Sequence, residues 1–176
     1  MTNIVRVPVA KRLIHRSKWL PLVPVPQQPY RYGAHVPSRI AVFHVDGRDG
    51  IRLGTQHRLQ EIELLHRKDD PAFPPQFTSV KATLRIMLPG YTYPCAKQLY
   101  ARGTGRDHKP KSIGEMVSVI AEHLQAAIER YKDTECTEPH WKVGRHPSLT
   151  LDDFVLLDIT WVSVGSIQPT LAVVRS

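Results

Sequence analysis

The sequence predicts an α+β fold: a mostly antiparallel β-sheet with one long amphipathic helix, about residues 112–132, packed on one face. Three observations carry that expectation. Ser112-Ile113-Gly114-Glu115 is a capping box, and behind it Ile113, Val117, Ile120, Leu124, Ile128 and Tyr131 recur at three- and four-residue steps, which makes one apolar stripe. Val80, Ala82, Leu84, Ile86 and Leu88 alternate with polar or exposed positions at the period of a strand with one wet face. Phe154–Val164 and Thr170–Val174 are apolar runs joined across Gly165-Ser166, as a central strand and its antiparallel return would be.

Taken in order, residues 1–37 form a basic, proline-rich arm and residues 38–176 a single α+β domain. Within the arm, Ile4–Val9 fits an edge strand. Pro21 to Pro29 are expected to be extended and irregular, because proline fixes φ and removes a ladder donor. Trp19, Leu20, Leu22 and Val23 offer the alternative of packing on the domain. Arg39–Val45 reads as a strand ending at the turn pair Asp46-Gly47. Gly50–Arg67 fits a short helix after Thr55, with Leu59, Ile62 and Leu65 on its apolar side, or a strand at Ile62–Leu65. Lys68 to Pro75 is a turn-rich connection. Ser79–Leu88 is the clearest strand, and Pro89-Gly90 turns it into a second over Tyr91–Ala101. After the helix, Asp133–Ser148 is polar and loop-like, and Pro169 is expected to delay pairing of the last strand.

Composition narrows the class. A chain of 176 residues supports one core. Twenty-four Lys and Arg against sixteen Asp and Glu give a formal charge of +8, which favours anionic partners. Two cysteines, Cys95 and Cys136, are too few for a disulfide scaffold. There is no secretory h-region and no run of about twenty apolar residues, so the expected setting is intracellular, cytoplasmic or nuclear.

Several segments together resemble an uncharacterised family of proteins from mushroom-forming fungi. They are Gly50-Ile51-Arg52-Leu53, Asp69-Asp70-Pro71, Leu84-Arg85-Ile86 with Pro89-Gly90-Tyr91, Trp141-Lys142-Val143-Gly144, and Val162 to Pro169, in that order from about residue 50 to the end. The resemblance implies a source and an intracellular setting, and brings no activity, cofactor or catalytic residue.

The most suggestive functional stretch is the basic, glycine-containing loop from Arg102 to Lys111. Its glycines let backbone amides converge on an anion, Arg102, Arg106, Lys109 and Lys111 surround them, and the positive end of the capped helix follows. It lacks the Gly-Lys-Ser/Thr of a P-loop and the third glycine of a dinucleotide fingerprint. The arm is the second basic element: Arg16, Lys18 and Arg31 are interleaved with Trp19, Tyr30 and Tyr32, the combination that stacks on unpaired bases while neutralising phosphates. The bland alternatives are a solvated connection whose glycines serve turns, and aromatics that anchor the arm by burial. Cys136, His140 and His146 have the spacing C-x3-H-x5-H, but Cys95, the fourth ligand, has no neighbour to pair with, so no metal is assigned. Asp69-Asp70 and Asp152-Asp153 read as turn and cap residues.

The reading that follows is a non-enzymatic interaction module, without a cofactor, that presents its basic arm and loop to an anionic macromolecule, nucleic acid foremost. A protein partner or self-association, as in a viral coat or matrix protein, is the first alternative. The second is a small enzyme drawing on Cys95, His108, His123, His140 and Asp158.

Overall fold

The computed structural model describes residues 21–30, 33–103 and 107–174. In chain order the strands are β1 (Leu22–Pro24), β2 (Ser38–Val42), β3 (His44–Val45), β4 (Arg48–Asp49), β5 (Ile51–Arg52), β6 (Lys81–Ile86), β7 (Cys95–Tyr100), β8 (Phe154–Ser163) and β9 (Ser166–Val174). The helices are α1 (Thr55–Glu63) and α2 (Ile113–Tyr131). The fold is α+β, with a mostly antiparallel sheet.

β8 holds a single charged residue, Asp158, and a run so apolar is buried only with neighbours on both sides. It lies between β2 and β9 in the order β2-β8-β9-β6-β7, with β5 also pairing β8 and β1 also pairing β9. The neighbours share those long strands end to end. β2 takes the second half of β8 and β5 its start. β1 takes the end of β9, while β6 pairs its beginning in parallel at Thr83–Ser166 and Leu84–Ile167. A separate small ladder, β3 with β4, turns at Asp46 and Gly47, whose φ values of 49° and 71° are the left-handed pair that a two-residue hairpin requires.

Pro169 lies inside β9, opposite Ile159, and not ahead of the strand as its missing N–H led us to expect. Its carbonyl accepts a hydrogen bond from Gln27 Nε2 at 2.6 Å, on the side away from β8. N–H and C=O of one strand residue point the same way, so the absent donor faces the gap between β1 and β6, where no strand needs it. Gln27 fills that gap. Its Oε1 also accepts from the Met87 amide at 3.0 Å, and one side chain thereby bridges β9 to the end of β6.

The region expected to be irregular between Pro21 and Pro29 is partly sheet. Leu22, Val23 and Pro24 pair with Val174, Val173 and Ala172, and Val25 is buried with its amide on Leu171 O at 2.9 Å. An edge strand tolerates Pro24 because its outer side has no ladder to complete. Ile4–Val9, Trp19 and Leu20 lie outside the described residues.

α2 begins as the capping box dictates: Glu115 N donates to Ser112 Oγ at 3.2 Å and Ser112 N to the Glu115 carboxylate at 2.7 Å. Ile113, Val117, Ile120, Leu124, Ile128 and Tyr131 are all buried, joined by Met116, Ala121 and Ala127, and the helix packs on β6 and β7. α1 forms after Thr55, but its faces differ from the expected pattern: Leu59 is 70% exposed and Glu61 only 3%. Glu61 accepts from Arg52 N at 2.8 Å and from Arg52 Nε at 2.6 Å, which satisfies the buried carboxylate and ties α1 to β5. The connection from Lys68 to Pro75 and its continuation contribute to the core, since Ala72, Phe73 and Phe77 are buried and the two phenylalanine rings lie 4.8 Å apart.

β6 and β7 pair as a hairpin from Lys81–Tyr100 to Ile86–Cys95, joined by residues 87–94 and not by a tight Pro89-Gly90 turn. Tyr91 stacks on Tyr131 at 4.5 Å, and Tyr131 donates its hydroxyl to Tyr93 O, which fastens this long connection to the end of α2. No helix among the described residues is long and apolar enough to cross a membrane.

Candidate functional site

Both helices lie on one face of the sheet, and period-two alternation decides what the other face presents. On β6, Ala82, Leu84 and Ile86 turn toward the core, leaving Lys81, Thr83 and Arg85 outside. The hairpin register sets Tyr100, Gln98 and Ala96 beside them, all three exposed. β9 adds Ser166, Gln168 and Thr170, and β8 adds Asp158 and Thr160. Arg39 on β2 stands opposite Thr160. The carboxylate that the described strands place on this face is committed: Asp158 pairs with Arg39 Nε at 3.3 Å and accepts from Thr170 Oγ1 at 2.6 Å. Over β6, β7 and β9 the three strands hold Lys81, Arg85 and Lys97 and neither Asp nor Glu.

Residues 25–30 and 33–37 form a strap along one end of this outer face. Gln168 grips it with both halves of its amide, accepting from Tyr30 N at 3.0 Å and donating to Gln28 O at 2.9 Å. The Tyr30 ring lies 3.8 Å from the Arg85 guanidinium carbon, a cation–π stack, and Arg85 Nε donates to Ser166 Oγ at 3.1 Å. His35 Nε2–H donates to Trp161 O at 3.2 Å, since a carbonyl can only accept. Two clefts open beside the strap. One of about 310 Å³ runs over Thr160, Gln168 and Thr170; one of about 520 Å³ lies between the strap and the β8–β9 turn, with Arg85 in its wall. Farther along the hairpin, Lys81 Nζ sits 5.2 Å from the centroid of Tyr100, which is 46% exposed. No family model, curated protein or solved structure matches this chain. Function rests on these residues alone.

Residues 104–106, the centre of the expected phosphate cradle, lie outside the described residues, and the described flanks of the basic loop are engaged with the protein itself. Arg102 and Pro110 bridge as a small hairpin, with Gly103 N on Lys109 O at 2.8 Å. Arg102 is a structural residue: its guanidinium donates to Phe77 O at 2.9 Å and to His108 O at 3.4 Å. Lys111 lies 3.9 Å from Glu115, and Lys109 is exposed. The helix end beside the loop is closed. The Ile113 and Gly114 amides donate to Asp70 O and Lys68 O at 2.9 and 2.8 Å, and Ser112 and Glu115 cap each other. With those first amides spent on the protein itself, the helix dipole has no donor left there for a phosphate. Gly114 makes the docking possible, because a Cβ there would meet Lys68 O at 3.3 Å.

Of the arm residues, Tyr30 is brought to the outer face; Arg16, Lys18, Trp19, Arg31 and Tyr32, with Arg106 of the loop, lie outside the described residues. Cys95 lies on the helix side of β7, and burial pushes its thiol up, away from the reactive thiolate, while Asp158 is on the opposite face. Cys136 donates to Glu138 O at 3.2 Å, and among the described residues no three His, Cys, Asp or Glu are arranged to hold a metal. Asp153 caps the turn before β8 by accepting from Thr150 N at 2.7 Å. Sequence reasoning did not single out Lys81, Arg85 or Tyr100. The signal was present in the 79–88 alternation, which puts Lys81, Thr83 and Arg85 on the wet side.

Proposed function

We propose that this protein binds an anionic macromolecule, single-stranded nucleic acid, on the outer face of its sheet. The observation that carries the reading is the β6–β7 surface, where Lys81, Arg85 and the exposed Tyr100 share one side with Thr83 and Gln98 and no carboxylate belongs to either strand. A flat polar sheet with an exposed ring and cations beside it suits unpaired bases, which stack on the ring while their phosphates meet the cations. Lys109 is a further exposed cation, on the hairpin that follows Tyr100 in the chain, and Arg31 and Tyr32 follow Tyr30 directly in the sequence.

Binding of a fluorescein-labelled single-stranded oligonucleotide, followed by anisotropy, tests the reading. With contacts from Lys81, Arg85 and Lys109, log K should fall with log salt at a slope of about −2, near −0.7 per phosphate. The double variant K81A/Y100A should weaken binding by about tenfold or more, the scale of one lost stacking contact and one lost phosphate contact. Equal affinity of that variant and the parent protein sinks the proposal. Self-assembly through β7, whose only strand partner among the described residues is β6, is disfavoured by Lys97, since an exposed lysine on an edge strand opposes pairing with another chain.

A further inference from the structure

Arg85 is held in a way the neighbouring cations are not. One face of its guanidinium lies against Tyr30 at 3.8 Å and its Nε–H is spent on Ser166 Oγ at 3.1 Å, so the plane is fixed by two contacts. Arg39, in contrast, is paired to Asp158, and Lys111 stands near Glu115. Among the described residues Arg85 has no carboxylate partner, and none lines the cleft of about 520 Å³ into whose wall it is built. Among the described residues the rest of the lining is small or neutral, chiefly Tyr30, His35, Ser163, Val164 and Ser166. An arginine cannot shed its charge, and one already immobilised loses little entropy when its terminal N–H groups engage a ligand.

We propose that this cleft is a phosphate-binding site with Arg85 as its anchor. The two terminal nitrogens form a fork that matches two phosphate oxygens, Tyr30 and Ser166 are positioning residues that hold the fork, and the space beyond accommodates the sugar or base attached to that phosphate. The proposal rests on the reading of the outer face as a nucleic-acid surface and deepens it: the cleft sits on that face, one end of the path a strand takes past Lys81 and Tyr100. The same chemistry serves a free nucleotide.

Nitrogen-15 NMR of the arginine Nε–H signals, with inorganic phosphate, adenosine monophosphate and oligothymidylate as separate probes, tests the proposal and separates the sources. Phosphate and adenosine monophosphate are expected to shift the Arg85 signal saturably, and sodium acetate at equal ionic strength to leave it in place. R85K should lower the affinity for adenosine monophosphate at least about tenfold, because lysine keeps the charge and loses the fork, and S166A should lower it severalfold. Thermal melting confirms that each variant is folded, and the direct titration of the parent protein stands even if R85K is not. Absence of a saturable shift, an equal response to acetate, or unchanged affinity in R85K overturns the site. Oligothymidylate that binds without moving Arg85 overturns the anchor on the strand's path and leaves the sheet-face reading to Lys81 and Tyr100. A saturable response to the mononucleotide without oligonucleotide binding supports the site, assigns it to free nucleotides and ends the sheet-face reading.

Discussion

His123, on α2, has its Nε2 buried without a hydrogen-bond partner among the described residues. Burial, and then the charge of Lys97 on β7, lower its pKa from the ordinary value near 6.5 and outweigh Glu122 and the carbonyls of Gln98 and Val119, which pull the other way. The unfolded chain therefore takes up a proton that the folded chain resists. This contribution to stability is complete above the ordinary value and is lost as pH falls through it toward the folded one. Melting temperature should accordingly drop between about pH 7 and about pH 5.5, and H123L should show a shallower drop over the same range. An identical slope in the variant would assign the pH dependence elsewhere. Residue type alone does not reveal this. His123 sits at a helix position no different in sequence from an exposed one, and only the packing of β7 against α2 buries its ring. Arg85 was equally unremarkable as a letter, since its value as an anchor comes from Tyr30 and Ser166, fifty-five and eighty-one positions away in the chain.

Elements whose signal is local were legible. The α2 boundaries follow from the capping box and the stripe, and β6 follows from alternation, because both patterns are written within consecutive residues. Elements defined by distant partners were not. Pro169 fits within β9 only because Gln27 arrives from the other end of the chain, and Phe73 and Phe77 enter the core from a stretch whose local chemistry is all turn. α1 illustrates the mixture: its existence was readable and its orientation was not, since Glu61 turns inward to Arg52 while Leu59 faces water. That ion pair is the tie between helix and strand. E61A, which removes the carboxylate that accepts from both the Arg52 amide and its Nε, should cost roughly 2–3 kcal/mol in denaturant unfolding. A loss below about 0.5 kcal/mol would mean that water replaces the carboxylate freely.

At the scale of the whole molecule, the segment ahead of β2 belongs partly to the sheet. β1, Val25, Gln27 and the Gln168 contacts make residues 22–30 an integral edge, which the proline-rich composition concealed. Deleting residues 1–30 should therefore lower the melting temperature markedly relative to a chain that lacks only residues 1–20, by a few degrees for each kcal/mol lost in a chain of this size. Equal melting of the two truncations would place β1 outside the cooperative unit. The candidate loop was legible as basic and glycine-rich, but its helix end is sealed by Lys68 O and Asp70 O, a long-range docking that spacing could not foretell. In the β6–β7 hairpin, the surface that the proposed binding would use and the core that the fold needs are carried on alternate residues of the same two strands. A combinatorial library that randomises Lys81, Thr83, Ala96, Gln98 and Tyr100 would vary that surface while leaving Ala82, Leu84, Ile86 and Leu99, the buried residues between them, as they stand.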